Sequence, residues 1–232
     1  MVARAVVFDV MGTLFDLAPV RRRLGELGAP EGALEAWFGR MLHSAASLTL
    51  VGEFHPFREI GESTLRTTLA QLGVDAKRAG EVLQALGRLD PYPDVAQAFD
   101  LLEAAGVPAV TLTNGGREHT ETLLESAGLR SRVQQVLTVE EVRAYKPHPE
   151  PYHHVARTLG LPSESLTLIA AHGWDVLGAR AAGLSAIWVD RLERRWHFRP
   201  WSLPRRARSS GRSSWRSPSR RRFAASPADV RP

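Results

Sequence analysis

Arg4-Ala5-Val6-Val7-Phe8-Asp9-Val10-Met11-Gly12-Thr13-Leu14-Phe15-Asp16 is the stretch whose reading decides the fold. Residues 4 to 8 are a short run, apolar after Arg4, of the kind expected for a strand buried on both faces of a parallel sheet. Asp9 ends the run, and Gly12 permits a tight turn directly after it. A carboxylate at that point would stand beyond the carboxyl end of the first strand, where open α/β sheets build their sites.

Downstream of this turn the pattern changes twice. From Pro19 to Leu89 the spacing is helical, with Leu34, Trp37, Phe38, Met41 and Leu42 on one repeat and Leu65, Leu69 and Leu72 on another. Pro30, Gly52 and Gly73 separate these segments, so residues 17–90 are expected to form a small helical cap inserted after the first strand. After Pro91-Tyr92-Pro93 helix and strand alternate, with strands expected at 107–112, 133–137, 166–170 and 185–189 and helices at 95–105, 118–127, 149–159 and 176–182. Such alternation specifies parallel β-α-β units with right-handed crossovers. The expected fold is therefore α/β, a doubly wound parallel sheet with a Rossmann-like core made of residues 1–16 and 91–198. The strand ends would carry Asp9, Thr113-Asn114 and Ala171-His172, with Lys146 entering from a neighbouring loop.

Charge is divided unevenly along the chain. The net +5 includes thirteen arginines from Arg191 onward, opposed only by Glu193 and Asp229, so residues 1–190 carry about −6. The body is expected to be an acidic soluble protein of the cytoplasm, since the apolar start is too short for a secretory core or a membrane span. The absence of cysteine excludes disulfides, thiolate metal sites and a thiol nucleophile. Residues 199–232, rich in Arg, Ser and Pro, are expected to be a disordered basic tail. Contact of that tail with nucleic acid would be nonspecific at most. His148, His153 and His154 share one short helix start without carboxylate companions and read as solvated polar residues, so no metal site is expected there.

The segment Phe8 to Asp16 resembles the first motif of the haloacid dehalogenase superfamily, and the other motifs follow in order: Thr113, Lys146 in Tyr145-Lys146-Pro147, and Asp175. Over roughly residues 4 to 190 the resemblance implies a hydrolase with Asp9 as nucleophile. A strand-end aspartate can form a covalent ester and divide one hard step into two. A neighbouring lysine keeps that carboxylate ionised. Hydroxyl and amide donors at the second strand can orient substrate oxygens.

Phosphatases of the superfamily carry a proton-donating aspartate two residues after the nucleophile, where this chain has Met11. They also bind Mg²⁺ through a Gly-Asp-x-x-x-Asp motif, and here Ala171 replaces the first of those carboxylates. Both departures suit a halide, which leaves without protonation. The 2-haloacid dehalogenase branch is the best match, through Thr113-Asn114-Gly115, Tyr152 and Trp174-Asp175-Val176-Leu177-Gly178-Ala179. The resemblance implies metal- and cofactor-independent attack of Asp9 on C2 of an L-2-haloacid, with Lys146 and Asp175 as its catalytic companions. Val10, Met11, Thr113, Asn114, Phe38, Arg40, Tyr152 and Trp174 would surround the small carboxylate substrate, and Asp175 would orient the hydrolytic water. His172, paired with Asp175, is the expected water activator.

In that branch an arginine follows the tryptophan of the first cap helix; here Trp37 is followed by Phe38, and Arg40 lies about 200° further round. Two alternatives stay open. One is a divergent hydrolase or phosphatase using Asp9; the other is a catalytically weak binding protein with a nucleic-acid-contacting tail. The resemblance also leaves a homodimer open.

Overall fold

A computed structural model describes residues 3–193, 195–196 and 205–208, the last four by backbone alone. Strand β1 (Ala5–Phe8) is followed by four helices with no strand between them: α1 (Ala18–Glu26), α2 (Ala33–Leu50), α3 (Phe57–Gln71) and α4 (Ala79–Leu86). Then come α5 (Val95–Ala104), β2 (Ala109–Thr113), α6 (Arg117–Ser126), β3 (Gln135–Thr138), α7 (Pro149–Leu159), β4 (Leu166–Ala170), α8 (Gly173–Ala181), β5 (Ser185–Asp190) and β6 (Arg205–Arg208). The strands form one parallel sheet in the order β3-β2-β1-β4-β5-β6, the order of a doubly wound nucleotide-binding fold.

The central strand shows why an uninterrupted apolar run was needed. Ala5 and Val7 join the core of one sheet face, while Val6 and Phe8 join that of the other. The Val6–Phe8 face is covered by α5, α6 and the four-helix insertion in one continuous core that includes Phe99, Trp37 and Leu65. The opposite face is covered by α7 and α8, through Tyr152, Val155, Val176 and Ala179. Among the described residues no helix is long and apolar enough to cross a membrane.

Two sequence expectations are corrected here. Helix α8 begins at Gly173, not at Val176, so Asp175 lies inside the first turn and His172 takes the N-cap position. The reason is a distant partner: the Glu193 carboxylate accepts the Gly173 N–H at 3.0 Å, satisfying a helix-start donor that local sequence leaves bare. Four residues of the expected disordered tail, Arg205–Arg208, pair in parallel with β5 and close its edge. The rest of the tail lies outside the described residues.

Candidate active site

The turn after β1 builds the site's first group. Gly12 adopts a left-handed φ of 74°, and Thr13, Leu14 and Phe15 all donate backbone N–H bonds to the Val10 carbonyl. A Cβ on Gly12 would approach His172 Nε2 within 3.1 Å, so a side chain there would also crowd the site. This turn brings Thr13 back onto the carboxylate it follows: Thr13 Oγ1 donates to Asp9 Oδ2 at 2.6 Å and accepts from Ala171 N at 2.9 Å.

Lys146 reaches the other oxygen. Its Nζ donates to Asp9 Oδ1 at 2.9 Å, Asp175 Oδ2 at 2.7 Å and the Leu112 carbonyl at 2.9 Å. An ammonium has three N–H groups, so every donor of Lys146 is committed within the protein. Its loop is fixed from two sides. Lys146 N donates to Asn114 Oδ1 at 3.0 Å, and the preceding Tyr145 bonds Thr49 Oγ1 and the His55 carbonyl of the insertion while stacking on Phe54.

Asp175 is fully buried behind Lys146, its second oxygen accepting from the Tyr152 hydroxyl at 2.6 Å. The electrostatics follow from this order. Burial pushes the Asp9 carboxyl up, but the charges of Lys146 and His172 and the bonds from Thr13 and Lys146 outweigh it, so Asp9 lies below its ordinary value. Burial raises Asp175, Lys146 opposes it and Asp9 adds to it, leaving Asp175 above its ordinary value. Lys146 is pulled down by burial, yet the two carboxylates hold it above 10.5.

A small pocket opens in front of Asp9, lined by Met11, Thr113, Asn114, Gly115, His172 and Trp174 from the sheet side. Phe38 and Leu42 from α2 and Phe57 from α3 close it from above. The His172 ring lies between Phe38 and Trp174, with centroids 5.5 and 5.4 Å away. Its Nε2 is 3.0 Å from the Met11 carbonyl and 3.8 Å from Asp9 Oδ2. A carbonyl only accepts, so Nε2 carries the proton in this geometry. Asn114 Nδ2 is buried with no hydrogen-bond partner among the described residues. Among the described residues no group of three His, Cys, Asp or Glu is gathered to hold a metal ion; Asp9 and Asp175 are bridged by an ammonium instead.

The sequence model of the haloacid dehalogenase-like hydrolases matches residues 3–183. The chain belongs to that family. An (S)-2-haloacid dehalogenase of Xanthobacter autotrophicus is 33% identical over 193 residues, spanning 82% of this chain and 76% of the relative. The solved structure of an L-2-haloacid dehalogenase from that organism, with chloropropionic acid covalently bound, superposes with a TM-score of 0.74 at 32% identity, covering 82% of this chain and 79% of the other. A further L-2-haloacid dehalogenase superposes with a TM-score of 0.82 at 28% identity, covering 90% and 95%.

Within this hydrolase the residues singled out from sequence divide into three groups. Asp9, Met11, Thr113, Asn114, Phe38, His172 and Trp174 meet at the small pocket. Lys146, Asp175 and Tyr152 stand behind it, outside the pocket wall, with the Asp175 carboxylate held between the Lys146 ammonium and the Tyr152 hydroxyl. His172 makes no bond to Asp175, contrary to expectation, because the helix start turns its ring towards Met11. The remaining two lie elsewhere. Val10 packs its side chain into the core, and Arg40 bonds Thr68 and Gln71 on α3 and does not line the pocket at Asp9. Three contributors had been overlooked. Thr13 stood in the motif four residues after Asp9, and Leu42 lies one turn beyond Phe38 on the same face. Phe57 had no local signal, since only the packing of α3 beside α2 brings it in.

Proposed function

We propose that this hydrolase removes halide from L-2-haloacids through an ester on Asp9, with helices α1–α4 acting as the cap. The observation that carries the reading is the state of Asp9. It is an ionised carboxylate fixed by Thr13 and Lys146, facing a pocket whose opposing walls are Met11, Leu42, Phe38 and Phe57. Met11 stands two residues after Asp9, in a position where it cannot transfer a proton, and the His172 Nε2 proton is committed to the Met11 carbonyl, so a leaving group stable as an anion fits.

An Asp9 oxygen attacks C2 and the carbon–halogen pair departs as halide, inverting the carbon. Asn114 Nδ2 is a donor available to a bound anion. Thr113 Oγ1 accepts from Gly115 N at 3.0 Å, which leaves its own proton to donate. Lys146 acts through its field, because its three N–H groups are spoken for. Water then attacks the ester carbonyl. Thr13 and Lys146, one on each Asp9 oxygen, stabilise the charge that builds there; the alkoxy oxygen departs carrying one of the water's protons, as the 2-hydroxy acid, and the other proton passes to solvent, which restores the Asp9 carboxylate. In this geometry the His172 Nε2 proton goes to the Met11 carbonyl, with Asp9 Oδ2 3.8 Å away, so Nε2 does not take the water's proton.

Halide release from each enantiomer of 2-chloropropionate, with EDTA present and Asp9→Asn as control, tests the reading. The (S) form alone should react. Phosphate release from a generic monoester with Mg²⁺, without halide release, would overturn it. Gel filtration in the same series tests the homodimer.

A further inference from the structure

The pocket in front of Asp9 encloses only about 20 Å³, room for about one water-sized group. Beside it, between the insertion and α6, lies a cavity of about 920 Å³, within the range of small-molecule sites. The two share Met11, Phe38, Phe57 and Gly115 in their walls, so they adjoin. The large cavity is apolar where α2 and α4 line it, with Leu34, Met41, Leu83 and Leu86 facing it. Exposed or half-exposed Arg58, Glu62, Gln84 and Glu118 form its outer margin. His119, half-buried on the α6 side, is pushed below its ordinary value by burial and by Arg58, consistent with a space poor in water.

We infer that this cavity is a subsite for an extended aliphatic 2-substituent, making the preferred substrate a medium-chain 2-haloalkanoate. The inference rests on the proposed dehalogenase reading for its head group. With C2 in front of Asp9 and the carboxylate at the Thr113–Gly115 turn, the small pocket has no space for an aliphatic chain on C2. The chain passes the shared wall and lies against Leu83 and Leu86. Each methylene removed from water there strengthens binding about three- to fourfold.

The test compares kcat/KM for 2-bromohexanoate and 2-bromopropanoate, alongside calorimetric affinities of the unmodified enzyme for hexanoate and propanoate. The hexanoate:propanoate ratio should exceed about tenfold in both measurements. The double variant Leu83→Trp/Leu86→Trp, which narrows the cavity where the chain would lie, should bring the kcat/KM ratio towards one. Halide release from bromopropanoate with flat ratios would sink the subsite and leave the dehalogenase reading standing. Tighter binding of hexanoate with no halide from either bromoacid would do the reverse. A ratio that the double variant leaves unchanged also overturns the subsite.

Discussion

Lys146 places one positive charge between two buried carboxylates, so the trio is net negative and shielded from water. Taking the ammonium away leaves like charges facing each other in low dielectric, which costs far more than the pair contributes. Lys146→Met should lower unfolding free energy by about 3–5 kcal/mol in urea titrations. Tyr152→Phe removes one bond to the Asp175 carboxylate and leaves the shape intact. It should cost about 1.5–3 kcal/mol, seen as a thermal midpoint about 3–10 °C lower. The nucleophile itself was legible because a lone acid closes an apolar strand; the commitments of Lys146 were not, since they depend on Leu112 and Asp175, 34 and 29 residues away. Arg40 shows the same limit from the other side. Its position along α2 is plain, but its partner helix decides where the guanidinium goes, so Arg40→Ala should keep kcat/KM for the haloacid within about twofold.

At the scale of elements, α8 is packed against the Lys146 loop without slack. A Cβ on Gly178 would sit 2.6 Å from Pro147 Cβ and 2.6 Å from the Tyr152 hydroxyl. Gly178→Ala should therefore destabilise by about 1–3 kcal/mol and reduce turnover, because relief of the clash moves the groups that hold Asp175 and Lys146. Circular dichroism melts together with initial rates check both effects. The glycine was visible in the sequence, while its reason, the close approach of α8 to the residue after Lys146, belongs to the packing. Helix α2 was likewise readable as amphipathic, and its Phe38–Leu42 face does meet the site. The start of α8 was misplaced by three residues because its first donor is met by Glu193 from beyond β5.

For the whole molecule, the coupled charges set a dependence of stability on pH. Asp9 is lowered in the fold, so its contribution is present above 3.8 and is lost as pH falls through the folded value. Asp175 is raised, so its contribution is greatest below 3.8 and declines as pH rises through its folded value, opposing Asp9. Lys146 is raised, so its contribution is complete below 10.5 and disappears as pH climbs through the folded value. Thermal midpoints across pH 4–11 should fall on the alkaline side in the native protein. The Lys146→Met protein should lack that part of the fall; parallel alkaline limbs in the two proteins would contradict the assignment.

By itself the sequence determined the α/β class, the parallel sheet and the place of Asp9, because strand burial, turn chemistry and helix periodicity act over a few neighbouring residues. The helix start at Gly173, the β6 edge and the split between groups facing the pocket and groups behind it were decided only in three dimensions. Each depends on a partner far along the chain, and hydrogen-bond donors are few enough that one such partner settles what a side chain can still do. Lys146 could be named from its motif, but only the fold shows that its three donors are already taken.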